Sequence, residues 1–339
     1  MTLPLSRIIL LGSVFALLGI LWAAGGWSFV KPPSAEATRF TLKDDGNLYT
    51  VSTSLGEKRL TNGGNIQIVF ARKNGNILLG KTMPGDIPDS EHVVGTTLFL
   101  LQDDGTNMRL LTDVPVMYAF FDPTGRQVYY TSQNADLFVF DLSTSTTQKL
   151  QEKVLSPSLS PDGRSIIYQK LNPTWGPGQY YDEALGITVL NLQTKQETRI
   201  SNTWEDFNPL WTPDGKNILF FSRSAEGLAS HFVMDANGKN RKQLTNIGQG
   251  LVTDKTVAIP SELPQWSSDG KTLIYEADRQ IWINEFAPGH SAMLKAKPVA
   301  YGRDPEWLPD GKTFTAVITP RAKGQSTLLT MDSSGNILP

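Results

Sequence analysis

Residues 207–222 read Phe-Asn-Pro-Leu-Trp-Thr-Pro-Asp-Gly-Lys-Asn-Ile-Leu-Phe-Phe-Ser: an apolar stretch, a Pro-Asp-Gly punctuation, and a second stretch rich in apolar and aromatic residues. Proline presets φ at the turn, aspartate supplies a side-chain acceptor and glycine tolerates positive φ, so the chain reverses there and joins two strands. The unit recurs as LSPSLSPDGRSIIYQ (155–169), LPQWSSDGKTLIYE (263–276) and RDPEWLPDGKTFTAV (303–317). Weaker copies are MYAFFDPTGRQVYYT (117–131) and IQIVFARKNGNILL (66–79), with Thr124 and Asn74 in place of the turn aspartate. The turn glycines Gly75, Gly125, Gly163, Gly215, Gly270 and Gly311 are separated by 50, 38, 52, 55 and 41 residues. Such a period belongs to propeller blades, whereas ankyrin and tetratricopeptide helical pairs repeat at about 33–34 residues.

A second hairpin completes each unit. In the clearest copy it is His231-Phe-Val-Met-Asp235, Asn237-Gly238, then Arg241-Lys-Gln-Leu-Thr245, with parallels at 137–150, 186–200 and 280–294. Four antiparallel strands per unit, repeated radially, bury both faces of each sheet and leave short edges. The expected fold is therefore all-β, a six-bladed β-propeller. Strands at 40–42, 47–52 and 58–61 are expected to close the ring against 327–338. Asp45-Gly46 leaves a seventh, degraded blade open as an alternative, although Gly46 lies 29 residues before Gly75, which is short for four strands.

The combination x-P-x-W-[ST]-P-D-G-K-x-I-x-F-x-S with a following I-x-V-M-D-x-x-G-x-x-x-x-L-T resembles the WD-like repeats of TolB-type propellers. Residues 207–245 follow it from end to end, and the resemblance extends over about 60–332, strongest from 155 onward. It implies periplasmic scaffolding near the cell envelope. TolB-like blades also occur in propeller-capped serine peptidases and in lyases, so the fold narrows the function without choosing it. The amino-terminal α/β domain that accompanies the propeller in TolB has no counterpart among the residues before the repeats.

The chain has 339 residues, with 31 basic against 33 acidic side chains and a formal net charge of -2. No global positive field is available to hold phosphate backbones, which argues against a nucleic-acid partner. The absence of cysteine removes disulfides, thiolate metal sites and cysteine nucleophiles together. Arg7 precedes an uncharged, largely apolar run from Ile8 to Trp27, followed by Lys31, Pro32 and Pro33. The run is near the length that spans a bilayer and long for a cleaved signal, whose best cut site would be Ala35-Glu36-Ala37. Two readings stay open for residues 1–37, an anchor with linker or a removed signal peptide. Both put residues 38–339 on the periplasmic or extracellular side, with the amino terminus inside.

Strand parity sorts the connections by end. The Pro-Asp-Gly turns fall on one end and the long connections 81–95, 172–184, 201–208, 222–230, 246–262 and 295–304 fall on the other. Elaborated loops on one rim of a rigid scaffold are the usual seat of binding. Two of them are rich in aromatic and acidic residues: Trp175, Tyr180 and Tyr181 in the first, and Trp204, Glu205 and Asp206 in the second. Exposed Trp and Tyr anchor many protein interfaces, and these six are the candidate partner-binding residues. The alternative for Trp175 and Trp204 is a fold-back cap over the gap between blades. Asp86, Asp89, Glu91, Asp254, Glu262, Asp304 and Glu306 are further rim carboxylates. Their regular recurrence assigns Trp211, Trp266 and Trp307 to packing between blades, and Asp162, Asp214, Asp269 and Asp310 to locking the turns.

Enzyme signatures are scarce. Gly289-His290-Ser291-Ala292-Met293 begins like a nucleophile elbow but lacks the closing glycine and the strand-to-helix setting. His92 and His231 have no third metal ligand at a matching spacing. No phosphate loop or dinucleotide fingerprint is present. The sequence-based expectation is a non-catalytic, single-chain propeller without cofactor, catalytic residue or metal, binding an envelope protein or peptide through its long-loop face. The rival is a propeller lyase, hydrolase or lactonase with a divalent metal at the channel mouth.

Overall fold

The structure is a computed structural model that describes residues 39–43, 45–52, 56–82, 96–176, 184–223, 229–244, 252–253, 256–257, 264–277, 279–290, 292–307, 312–318 and 327–338. All belong to the second of two compact units, Met1–Ala37 and Thr38–Pro339. The chain begins with a three-stranded sheet of β1 (Arg39–Leu42), β2 (Leu48–Ser52) and β3 (Gly56–Arg59). Next, β4 (Ile66–Lys73), β5 (Asn76–Lys81), β6 (Thr96–Gln102) and the first half of β7 (Arg109–Phe121) form a four-stranded blade. The second half of β7 opens the next blade, with β8 (Gln127–Ser132), β9 (Leu137–Asp141) and β10 (Thr146–Gln151). Two separate four-stranded sheets follow. The first contains β11 (Val154–Leu159), β12 (Ser165–Leu171), β13 (Ala184–Asn191) and β14 (Glu197–Arg199); the second contains β15 (Asp206–Trp211), β16 (Asn217–Arg223), β17 (Ala229–Asp235) and β18 (Lys242–Gln243). A small hairpin, β19 (Val252–Thr253) and β20 (Thr256–Val257), precedes the last seven-stranded sheet. That sheet comprises β21 (Gln265–Trp266), β22 (Thr272–Ala277), β23 (Gln280–Phe286), β24 (Met293–Trp307), β25 (Thr313–Ile318), β26 (Thr327–Asp332) and β27 (Ile337–Leu338). It is two blades sharing β24, just as the earlier pair shares β7.

The Pro-Asp-Gly turns show why the repeat works. Asp162 Oδ1 accepts from Ser160 Oγ at 2.6 Å and from the Arg164 amide at 3.0 Å. Asp214 does the same with Thr212 and Lys216 at 2.7 and 3.1 Å, and Asp269 with Ser267 and Lys271 at 2.7 and 3.1 Å. These bonds, led by the neighbouring hydroxyl, hold the Asp162 and Asp269 carboxyls below the usual aspartate range. In the degenerate copy the two roles exchange positions. Asp122 stands where the others have Ser or Thr, and it accepts from the Thr124 amide at 3.0 Å and the Arg126 amide at 2.7 Å. The loss of aspartate at 124 is thus compensated two residues earlier. Asp310 lies outside the described residues.

Successive turns also stack. A Cβ built on Gly163 would lie 3.3 Å from Pro123, one on Gly215 3.7 Å from Pro161, and one on Gly270 3.1 Å from Pro213. Each turn glycine therefore rests on the proline of the preceding blade, in chain order. Gly270 combines the tightest of these three approaches with a φ of 68°, in the left-handed region costly for other residues. Gly270→Ala is expected to cost about 1–2 kcal/mol, read as a lower urea midpoint at unchanged slope; an unchanged midpoint would refute this account of the turn.

Between the turns, the core consists of wedges shared by neighbouring sheets. Trp211 packs with Ile167 and Ile187 of the preceding blade and with Ile218, Phe220 and Met234 of its own. Trp266 borders Phe207, Leu219 and Phe221 of the preceding blade, and Trp307 borders Ile274, Ile281 and Ile283. The indoles also reach backward, Trp266 Nε1 donating to the Trp211 carbonyl at 3.0 Å and Trp307 Nε1 to the Gln265 carbonyl at 3.1 Å. A large ring suits this position because its apolar burial joins the sheets; the N–H is satisfied at Trp266 and Trp307, whereas the buried Trp211 Nε1 has no acceptor among the described residues.

Two expectations are revised. The segment 295–304 is not a rim loop but the middle of β24, where Pro298 sits opposite Trp282 at a register irregularity that absorbs its missing N–H. Among the described residues, the amino-terminal strands do not pair with 327–338. They form their own sheet, and the Asp45-Gly46 turn joins β1 to β2 inside it.

Candidate functional site

The rim residues named from sequence separate into different environments. Trp175 is 4% exposed and packs with Ala135, Leu155, Leu171 and Ala184. Lys153 donates to its carbonyl at 2.6 Å and lies 5.6 Å from its ring centroid. Trp175 thus caps the gap between two blades. Tyr180 and Tyr181 lie outside the described residues, as do His92, Asp86, Asp89, Glu91, Asp254 and Glu262.

The connection from β14 to β15 holds Trp204, Glu205 and Asp206. Trp204 is 40% exposed, with the Arg223 guanidinium 5.7 Å from its ring centroid and 4.9 Å from that of Phe207. Arg223 closes β16, and its amide donates to the Glu205 carbonyl at 3.1 Å, which fixes the cation beside the indole. Glu205 is half-buried and accepts from Thr203 Oγ1 at 2.9 Å. The result is an aromatic face with a delocalised cation and a carboxylate beside it, a combination suited to peptide main chain and side chains. Asp206 is different in kind. Fully buried, it forms an ion pair with Arg241 and accepts from Ser201 Oγ at 2.5 Å. Arg241 runs across Phe220 and Phe232, 5.0 and 4.6 Å from their centroids, and also donates to Ser222 Oγ at 2.8 Å. Asp206 holds the blade together from inside and does not face a partner.

The sequence reading missed a polar row on the innermost strands. Tyr118, Ser156 and Asn208 occupy one repeat position on β7, β11 and β15, three residues before Phe121, Leu159 and Trp211. Tyr118 Oη lies 3.4 Å from Ser156 Oγ, which donates to Asn208 Oδ1 at 2.7 Å. Ser156 and Asn208 both take positive φ, 48° and 47°, where each strand bulges. Their signal was present in the polar residue before proline in Ser156-Pro157 and Asn208-Pro209, which reads locally as part of the turn motif.

The two described histidines, His231 and His290, are interior. His231 is 1% exposed on β17 and packs at a tilt against Phe221, with centroids 4.5 Å apart and an interplanar angle of 45°. Asn284 Nδ2 lies 3.2 Å from His231 Nε2 and donates to Tyr275 Oη at 3.3 Å. Burial alone pushes the imidazole down to about 3. His290 sits in a 3-10 turn, Pro288–His290, edge-on to Trp266 and with Nε2 2.7 Å from the Gly270 carbonyl. That packing role accounts for the Gly-His-Ser resemblance. Among the described residues no three His, Asp or Glu side chains gather as metal ligands, and no helix is long and apolar enough to cross a membrane.

Comparison with known proteins agrees with this architecture. The Tol-Pal system protein TolB of Francisella tularensis subsp. tularensis is 27% identical over 164 residues, covering 48% of this chain and 34% of that protein. The matches span about a third or less of the length of such curated relatives. Among solved structures, TolB from Acinetobacter baumannii superposes with a TM-score of 0.54 at 17% identity, covering 88% of this chain and 77% of that one. An oligogalacturonate lyase in complex with manganese gives 0.62 at 15% identity, covering 89% and 83%. At such identities the likeness is one of fold. A family model for the TolB beta propeller domain matches residues 149–338, more than half of the chain; with the stacked turns and shared wedges described above, the protein belongs to the TolB β-propeller family.

Proposed function

We propose that this propeller is a non-catalytic, extracytoplasmic binding module that engages a protein or peptide at the cell envelope through its long-loop rim, with the membrane reached through residues 1–37. The observation that carries the reading is the exposed Trp204 held beside Arg223, while Trp175 and Asp206 of the same rim are committed to packing. Trp and Arg are both enriched among interface hot spots. Family membership and the apolar run before residue 28 support the envelope assignment.

A photo-crosslinking residue at the exposed Asn202, two residues before Trp204, is expected to capture a discrete envelope partner in native membranes, and the same residue at Gln193, in an opposite-end turn, is not. Combined with it, Trp204→Ala and Arg223→Ala are each expected to abolish capture, the first while shifting stability by no more than about 0.5 kcal/mol, as for an exposed position. Equal labelling from both positions, or none from 202, would overturn the reading. A stoichiometric divalent metal in the purified protein would redirect it to an enzyme.

A further inference from the structure

The sequence holds three Asn-Gly pairs, at 62–63, 74–75 and 237–238, and the fold treats them differently. An asparagine before glycine readily loses its side-chain amide, because the glycine nitrogen has no Cβ beside it and its backbone turns freely. The reaction needs a main-chain nitrogen that is not held as a donor and a carboxamide that can swing onto it.

At Asn237 both are withheld. The Gly238 amide donates to the Asp235 carbonyl at 2.9 Å, and Asn237 Oδ1 accepts from the Lys239 amide at 3.0 Å. At Asn74 the carboxamide is withheld. Its Nδ2 donates to the Thr124 carbonyl in the turn of the next blade at 2.9 Å, and a Cβ on Gly125 would lie 2.7 Å from the same nitrogen. Asn74 is also fixed at a φ of 50° in the two-residue hairpin between β4 and β5. Asn62 has neither constraint. It is exposed, it lies between β3 and β4, and among the described residues neither its carboxamide nor the Gly63 amide makes a hydrogen bond. A Cβ built on Gly63 meets nothing within 4 Å.

The residues on either side of this pair are clamped. Thr61 Oγ1 and the Gly64 amide both donate to Asn47 Oδ1, at 3.4 and 3.1 Å, and the Leu48 amide donates to Thr61 Oγ1 at 2.9 Å. A Cβ on Gly46 would lie 2.7 Å from the Asn65 nitrogen, so the connection has little slack around its one free pair.

We propose that Asn62 is a covalent modification site, converted without an enzyme to aspartate and isoaspartate. The Gly63 nitrogen gives its proton to solvent base and bonds to Asn62 Cγ; the Cγ–Nδ2 bond breaks, and Nδ2 takes a proton from water and leaves as ammonia. Water then adds to either carbonyl of the succinimide and reopens the ring, so a carboxylate replaces the amide and no oxidant or reductant is consumed. The isoaspartyl product carries an extra methylene in the main chain between the clamps, together with a new negative charge. The change falls where the amino-terminal sheet joins the first four-stranded blade, with Leu48 and Leu60 packed against Ile66, Ile77, Leu79 and Leu101. Modification there loosens the joint. The Trp204 rim is not involved, so neither reading depends on the other.

The test incubates the full chain in mildly alkaline buffer, folded and unfolded in urea, and follows the three pairs by peptide mass mapping. In the folded chain Asn62 is expected to convert at least about tenfold faster than Asn74 and Asn237, whereas in urea the three rates converge to within about threefold. Asn62→Gln, whose ring closure is slower, is expected to keep its amide over the same period. No conversion at position 62, or a folded ranking equal to that in urea, would overturn the proposal. In the isoaspartyl fraction the Leu48 and Gly64 amides are expected to exchange hydrogen at least about tenfold faster, and unchanged exchange would overturn the loosening of the joint.

Discussion

Arg241→Met is expected to destabilise the propeller by about 3–5 kcal/mol, the cost of stranding a buried charge. Asp206 has no exposed surface, and its carboxylate depends on the guanidinium and on Ser201 Oγ. Methionine keeps an apolar chain of similar length but not the guanidinium that lies over Phe220 and Phe232, so the loss combines the stranded carboxylate with the lost cation–π contacts. The reverse substitution is milder. Asp206→Ala frees a guanidinium that is 39% exposed and can turn toward water, and about 1–3 kcal/mol is expected. The double variant Asp206→Ala/Arg241→Met should be more stable than the sum of the single losses implies, because the buried charge and its counter-ion leave together. Urea unfolding of the four proteins measures the cycle. Additive losses would show that the pair is not coupled, and equal single losses would show that the asymmetry of burial does not govern it.

How far these features were legible follows from the distance over which each one is determined. The described turns at Gly75, Gly125, Gly163, Gly215 and Gly270 and their flanking strands were readable because turn chemistry acts within five residues and the strand pattern within about ten. The inter-blade role of Trp211, Trp266 and Trp307 was readable because repetition converts a packing contact into a period. Asp206 was not, since nothing local distinguishes it from Glu205. Its partner Arg241 lies 35 residues onward, just before the outermost strand of the same blade. Trp175 was undecided for the same reason, its capping contacts coming from β11, β12 and the segment after β8. The continuous β24 was hidden by Pro298 and Gly302, which read as loop residues until the register irregularity accommodates them. The amino-terminal sheet was harder to place because among the described residues it has no first turn of the repeat, although Glu57-Lys-Arg-Leu-Thr61 carried the signature of the last strand.

The propeller is also expected to lose stability on mild acidification, well before its turn aspartates titrate. His231 is enclosed by Phe221 and Tyr275 and faces the Asn284 amide across 3.2 Å, with no carboxylate among these neighbours. Desolvation lowers its folded value from 6.5 to about 3, while in the unfolded chain it titrates near the ordinary histidine value. Between those two limits the unfolded state binds the extra proton, so stability is full above about pH 6.5 and falls by about 1.4 kcal/mol per pH unit down to about pH 3. At pH 5 the expected loss is about 2 kcal/mol. The aspartates of the turns lose their contribution in the same direction, but only below about pH 4, because their folded values are depressed from 3.8. The window from pH 7 to 5 therefore isolates histidine. His231→Gln keeps an amide in reach of Asn284 and removes the titration, and its urea midpoint should be nearly flat across that window while the parent's falls. Parallel slopes for the two proteins would place the proton elsewhere.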